Sequence, residues 1–128
     1  AHHPGEIKSA METVLRMKHK KIHVVFQSHT YTRTKALFDE FLPCFDDADT
    51  LLLLPIYAAR EPDTGLVSAE ELGAAIKNRG TVNTVNFSTF EDAAAHLYHL
   101  VEEGDLVLTM GAGESVQVAE LLESLLDQ

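Results

Sequence analysis

Cysteine, tryptophan and positive charge are all scarce in this chain. One cysteine among 128 residues cannot form an internal disulfide, so the fold must rest on a packed core, and a lone thiol suits a reducing, cytoplasmic compartment. Cys44 lies in an apolar helical stretch, where a packed thiol is expected in place of a nucleophile. No apolar run approaches the roughly 18 residues that cross a bilayer, and no secretory apolar segment follows the N-terminus. Basic residues number ten against twenty acidic ones, for a net charge of −10. That deficit is uneven: residues 1–35 carry a balance of +5 and residues 36–128 one of −15. An acidic body of this kind excludes wrapping around nucleic acid, while the cationic first third suits a small anion.

What is present is enough for one globular domain. A hydrophobic fraction of 45% in a varied sequence excludes a disordered or fibrous chain. Pro4 and Glu6 announce a first helix, with Ile7, Met11, Val14 and Leu15 on one face. "KIHVVFQ" is apolar nearly throughout, as a strand covered on both sides should be. A helix is expected from about Thr32 to Cys44, with Leu37, Phe38, Phe41, Leu42 and Phe45 as its stripe. "TLLLLPIY" from Thr50 to Tyr57 is the second strand, Pro55 marking its end or an irregularity. Ser68 with Glu71, and again Ser88 with Glu91, spell capping boxes for two further helices. "TVNTVNF" between them is a third strand at an edge, "DLVLTM" a fourth, and "SVQVAELLESLL" the closing helix.

Helices and strands thus alternate, which predicts an α/β fold: a doubly wound, mostly parallel sheet in the order 3-2-1-4 with helices on both faces. Ligands bind such sheets outside the carboxyl ends of the strands, where the order reverses. The loops expected there are "SHTYTRT" after strand one and "GAGE" after strand four.

The first loop concentrates polar chemistry. Arg33 offers a donor fork for a carboxylate or phosphate, and His29 lies four residues before it. The two could converge on one anion above the start of the helix; equally, Thr30, Thr32 and Thr34 could be caps and Arg33 the partner of a surface acid. "GAGE" lacks the full glycine-rich phosphate fingerprint and no Lys follows it. Gly111 and Gly113 there suit close backbone approach, and Glu114 a helix cap or a cation. His96 and His99 have metal-compatible spacing, yet no third ligand is evident and a solvated face is expected. His23 reads as a satisfied core histidine. Arg60 and Glu61 either shape the crevice or pair with each other.

Four segments, "HHPGEIKSAM", "FQSHTYTRTKALFDEF", "IYAARE" with "TGLVSAEEL", and "GDLVLTMGAGE", resemble in that order the C-terminal domain of the Mur ligases. The most specific element is F-Q-x-H-x-Y-T-R-T from Phe26 to Thr34, similar to the branch that adds L-alanine to UDP-N-acetylmuramate in peptidoglycan synthesis. The resemblance implies that residues 1–128 are the amino-acid-presenting domain of a ligase whose nucleotide-binding and central ATP-binding domains lie outside this chain. It implies ATP-dependent amide formation through an acyl phosphate. L-alanine, ATP, UDP-N-acetylmuramate and the rest of the same ligase chain are the partners, with magnesium held mainly by the central domain. The domain alone is expected to be inactive. Matched by position, His29 and Arg33, with Tyr31 between them, hold the incoming alanine, Arg33 on its carboxylate. His2 and His3 match a segment beside ATP, and are otherwise readable as tag residue; Gly111, Gly113 and Glu114 match a turn lining the same crevice. Two features depart from the family: Ser28 and Thr30 stand where it usually has Pro and Arg, and no P-loop is present. The competing reading is a flavodoxin-like or receiver-like binding module. Against it, Asp46, Asp47 and Asp49 fall at the wrong end of strand two and no Lys follows strand four.

Overall fold

A computed structural model describes residues 3–127. Helix α1 (Pro4–Leu15) begins with a reciprocal cap. The His3 ring accepts from the Gly5 N–H at 3.2 Å, and the His3 N–H donates to Glu6 at 3.3 Å. Ile7, Met11 and Val14 are buried as their spacing predicts, whereas Leu15 is exposed. Strand β1 (Ile22–Gln27) is buried at every position.

The helix expected over 32–44 is three short pieces: α2 (Tyr31–Ala36), α3 (Phe38–Phe41) and a 3-10 turn (Leu42–Phe45). Leu37, at φ −108° and ψ 11°, breaks the first from the second. Pro43 has no N–H to extend the α-helical pattern, and the last piece tightens. The apolar stripe survives the breaks, with Phe41 and Phe45 fully buried and Leu37, Phe38 and Leu42 packed against them.

Strand β2 (Thr50–Leu53) stops two residues before Pro55 and does not run on to Tyr57. Helix α4 (Ala69–Arg79) is capped by Ser68, whose hydroxyl accepts from the Glu71 N–H at 3.1 Å, and ends at Gly80 in the left-handed region. Strand β3 (Asn83–Asn86) follows, then α5 (Phe90–Leu100). The cap of α5 is Thr89, accepting from the Asp92 N–H at 3.1 Å, one residue after the expected Ser88. Strand β4 (Leu106–Gly111), a 3-10 turn (Gly113–Ser115) and α6 (Val116–Leu126) complete the chain.

The four strands lie in the order β3-β2-β1-β4, all parallel, with β3 at the expected edge. Alternate residues of the central strands feed two cores. Ile22, Val24, Phe26, Leu51 and Leu53 pack under α1, α3 and α4. Val25, Leu52 and Leu54 pack under α5 and α6, against Ala93, Leu97, Val118 and Leu122. The Phe26 ring sits 5.4 Å from that of Phe41 and 5.1 Å from that of Phe45, tilted contacts that add to the area they bury. Cys44 is packed as expected: its Sγ lies 3.2 Å from the Glu40 carbonyl oxygen, and burial pushes the thiol pKa up.

At the opposite end of the sheet from the loops of interest, His23 Nε2 meets Asp105 Oδ2 at 2.9 Å, both side chains buried. A carboxylate only accepts here, so Nε2 carries the proton; the buried Nδ1 has no hydrogen-bond partner, and the core histidine is half satisfied.

Candidate functional site

Parallel pairing places Gln27 of β1 beside Gly111 of β4, so the two loops singled out by the strand order leave the sheet side by side. Gly111 has φ +99°, and a Cβ there would lie 1.9 Å from the Gln27 carbonyl oxygen. Only glycine suits that position. The next N–H, of Ala112, donates to the same oxygen at 2.7 Å. Gly113 differs: a Cβ would meet nothing within 4 Å, and the close approach expected of both glycines belongs to Gly111 alone. Glu114 does not cap α6, whose first turn has no side-chain cap.

The loop after β1 is tied to the loop after β2. Thr30 N–H donates to the Tyr57 carbonyl at 2.8 Å and Tyr57 N–H to that of Ser28 at 2.9 Å. The His29 ring packs on Tyr57 with centroids 5.4 Å apart. Thr30 adopts φ 61° and ψ 149°, and Ala59 in the facing loop has φ 56°. Both conformations are costly for residues with a side chain and persist only where surrounding contacts enforce them.

The threonines of this loop are structural. Thr30 accepts from the Arg33 N–H at 3.3 Å. The buried Ser28 and Thr34 hydroxyls share a 2.5 Å hydrogen bond, and Thr34 also donates to the Thr30 carbonyl at 2.6 Å. The Thr32 hydroxyl donates to Glu61 Oε2 at 2.5 Å, while Glu61 Oε1 accepts from the N–H groups of Tyr31, at 2.7 Å, and Thr32, at 3.2 Å. Glu61 is therefore not paired with Arg60: it caps α2 from across the chain. The Thr32 hydroxyl bond holds the Glu61 carboxyl below its ordinary pKa, reinforced by the two backbone donors and the nearby His29, against the opposing effect of burial. The electropositive start of α2 thus carries an internal carboxylate.

Arg33 projects from the exposed side of α2, and among the described residues no carboxylate pairs with it. Two clefts open along this rim. One, of ≈ 290 Å³, lies between Tyr31, Ile56, Asp63 and the start of α4. The other, of ≈ 310 Å³, is lined by Gln27, Tyr57, Thr89, Phe90 and Glu114. His29 and Arg33 line neither. Tyr31 lines the first cleft and Glu114 the second, His29 stacks on Tyr57 of the second, and Gly111 pairs with Gln27 at the strand ends. His3 caps α1, and His2 lies outside the described residues.

Two residues at the rim escaped the sequence reading. Glu61 caps a helix thirty positions upstream, a relation no local pattern encodes. Gln27 is buried, its Nε2 donating to the Pro55 carbonyl at 3.1 Å. Because that carbonyl only accepts, the amide oxygen is the group left buried without a partner.

Among the described residues no group of three His, Cys, Asp or Glu side chains could hold a metal ion, and the Gly111–Glu114 turn uses its Ala112 N–H on Gln27 in place of a phosphate. His96 packs on the Phe87 ring and His99 on that of Tyr98. No helix among the described residues is long and apolar enough to cross a membrane.

Comparison with known proteins agrees with this architecture. The chain is 52% identical over 120 residues to the UDP-N-acetylmuramate–L-alanine ligase of Clostridium beijerinckii, covering 94% of this chain and 26% of that protein. It is 50% identical over 121 residues to the ligase of the same name from Clostridium perfringens, with the same coverage. The chain thus spans about a quarter of the length of these relatives. In fold it resembles the UDP-N-acetylmuramate-alanine ligase of Thermotoga maritima, with a TM-score of 0.73 at 18% identity over 99% of this chain and 25% of that one. A UDP-N-acetylmuramoyl-L-alanyl-D-glutamate–2,6-diaminopimelate ligase aligns with a TM-score of 0.71 at 16% identity, over 98% of this chain and 28% of that one. These likenesses do not favour a flavodoxin-like or receiver-like module. Residues 1–113 match the model described as Mur ligase, glutamate ligase domain, and with that match the chain is placed in the Mur ligase family.

Proposed function

We propose that this chain is the amino-acid-presenting domain of an ATP-dependent ligase that joins L-alanine to UDP-N-acetylmuramate through an acyl phosphate, in peptidoglycan synthesis. The 52% identity to a relative bearing that name carries the reading. Within it, Arg33 grips the alanine carboxylate with its two-pronged donor face, and its freedom from any described carboxylate leaves that face available. His29, held against Tyr57, stands beside the same ligand, with Tyr31 at the adjoining cleft. Fixing the carboxylate orients the amine for attack, which is positioning and not proton transfer. Glu61 is a poor general base, because a carboxyl held below its ordinary pKa holds a proton weakly.

When bound, ATP would supply the activating phosphoryl group, with magnesium held mainly by the central domain. His3 keeps Nδ1 as the acceptor for its helix cap, which leaves Nε2–H of the neutral ring as a donor toward a nucleotide. His2, Gly111, Gly113 and Glu114 complete the proposed lining, Glu114 from the cleft it shares with Gln27. The domain alone is then inactive.

The test is phosphate release by the intact ligase carrying this chain, given ATP, magnesium and UDP-N-acetylmuramate, with each small amino acid in turn. Release that requires L-alanine, and is absent with the isolated domain, is expected. Release indifferent to the amino acid contradicts the assignment.

A further inference from the structure

We infer that Glu61 is a positioning residue for the amino-acid site: its carboxylate, delivered by the loop after β2, fixes where α2 begins and so where the backbone of Arg33 stands. The inference rests on the amino-acid-presenting reading above. Its physical basis is a mismatch between the helix and its task. Helix α2 has six residues, too few to be stable by its own hydrogen bonds, and it is entered through Thr30 in a costly conformation.

Three donors of its first turn converge on Glu61: the N–H groups of Tyr31 and Thr32 and the Thr32 hydroxyl. The remaining first-turn N–H, of Arg33, goes to Thr30. Removing the carboxylate leaves two backbone donors without a partner and unlinks the loops at their outer end. The inner link, through Ser28, Thr30 and Tyr57, stays in place. The start of α2, and with it the backbone that carries Arg33, is therefore held from the other loop by charge-assisted hydrogen bonds that are stronger than neutral ones. Glu61 itself touches neither substrate nor reacting atoms: its carboxylate is engaged by Tyr31 and Thr32.

The test compares Glu61→Ala and Glu61→Gln. Glutamine keeps a carbonyl oxygen for the Tyr31 and Thr32 N–H groups, and its NH2 can face a Thr32 hydroxyl turned to accept. In the 128-residue chain, amide hydrogen exchange over residues 31–37 is expected to quicken about tenfold in Glu61→Ala while β1 and β4 stay protected. In the intact ligase, the KM for L-alanine should rise about tenfold in Glu61→Ala, with kcat and the KM for ATP within about twofold, and Glu61→Gln should recover most of the loss. Unchanged exchange, an unchanged KM for alanine, or Glu61→Gln as impaired as Glu61→Ala each overturns the inference. Should Glu61→Ala fail to fold, Glu61→Gln against wild type decides, since a KM for alanine raised tenfold by the isostere contradicts a role through acceptor geometry. A wild-type ligase that ignores alanine refutes the functional reading instead, and the exchange data then judge Glu61 alone.

Discussion

At the scale of single residues, the contrast between Gly111 and Gly113 is the clearest case of position deciding chemistry. Both stand in the same short turn, but only Gly111 combines a positive φ with a backbone oxygen where a Cβ would go. Gly111→Ala is expected to destabilise the chain by about 3 kcal/mol, strain and overpacking adding. Gly113→Ala should stay within about 0.5 kcal/mol. Urea denaturation of the two variants checks the pair, and equal effects would contradict the close contact between β1 and β4. The threonines of "SHTYTRT" teach the complementary lesson. Their density looks like binding chemistry in the sequence, yet every one of them serves the loop itself. Subtracting them leaves Arg33 as the cation of that loop, with no carboxylate partner among the described residues.

At the scale of elements, local signals were readable wherever partners are local. Ser68 and Glu71 mark the start of α4 because the cap bond spans three residues. The cap of α5 was misplaced by one position because Ser88 with Glu91 and Thr89 with Asp92 spell the same pattern, and only the backbone path chooses Thr89. The break of 32–44 into three pieces was hidden by an apolar stripe that keeps its period across Leu37; Pro43 was the signal that spoke against one helix. Glu61 was illegible for the opposite reason, since its bonds span 29 and 30 positions. At the far end of the sheet, Asp105 joins β4 to β1. The His23 hydrogen bond, and behind it the N–H groups of Glu102 and Lys21, hold its carboxyl below the ordinary pKa. A depressed carboxyl contributes stability above its unfolded-state pKa of about 4, and that contribution is lost as pH falls through the lower folded value. Asp105→Asn should therefore be less stable than wild type at neutral pH, with the gap narrowing on acidification below about pH 4. Urea midpoints measured at neutral and acid pH test this, and a gap independent of pH would contradict it.

At the scale of the whole molecule, strand order was the most legible feature. Buried central strands and regular alternation leave few topologies, and the doubly wound order puts β1 beside β4 by necessity. That adjacency carries the site, because it delivers the His29–Arg33 loop and the Gly111 turn to one rim from opposite ends of the sequence. The placement of Arg33 outside both clefts gives the rim its character: a guanidinium on an exposed face, with its partner charge absent from this domain's described residues. The chain spans about a quarter of the length of its relatives.

If Arg33 holds the amino acid by its carboxylate, as proposed, the KM for L-alanine of Arg33→Ala in the intact ligase reports it. The side chain is exposed and unpaired among the described residues, so folding stability should shift by less than about 0.5 kcal/mol. The KM for alanine should rise between about tenfold and a hundredfold, as loss of a charge-assisted pair demands, with the KM for ATP unchanged. A variant that keeps the wild-type KM for alanine would contradict that role for Arg33.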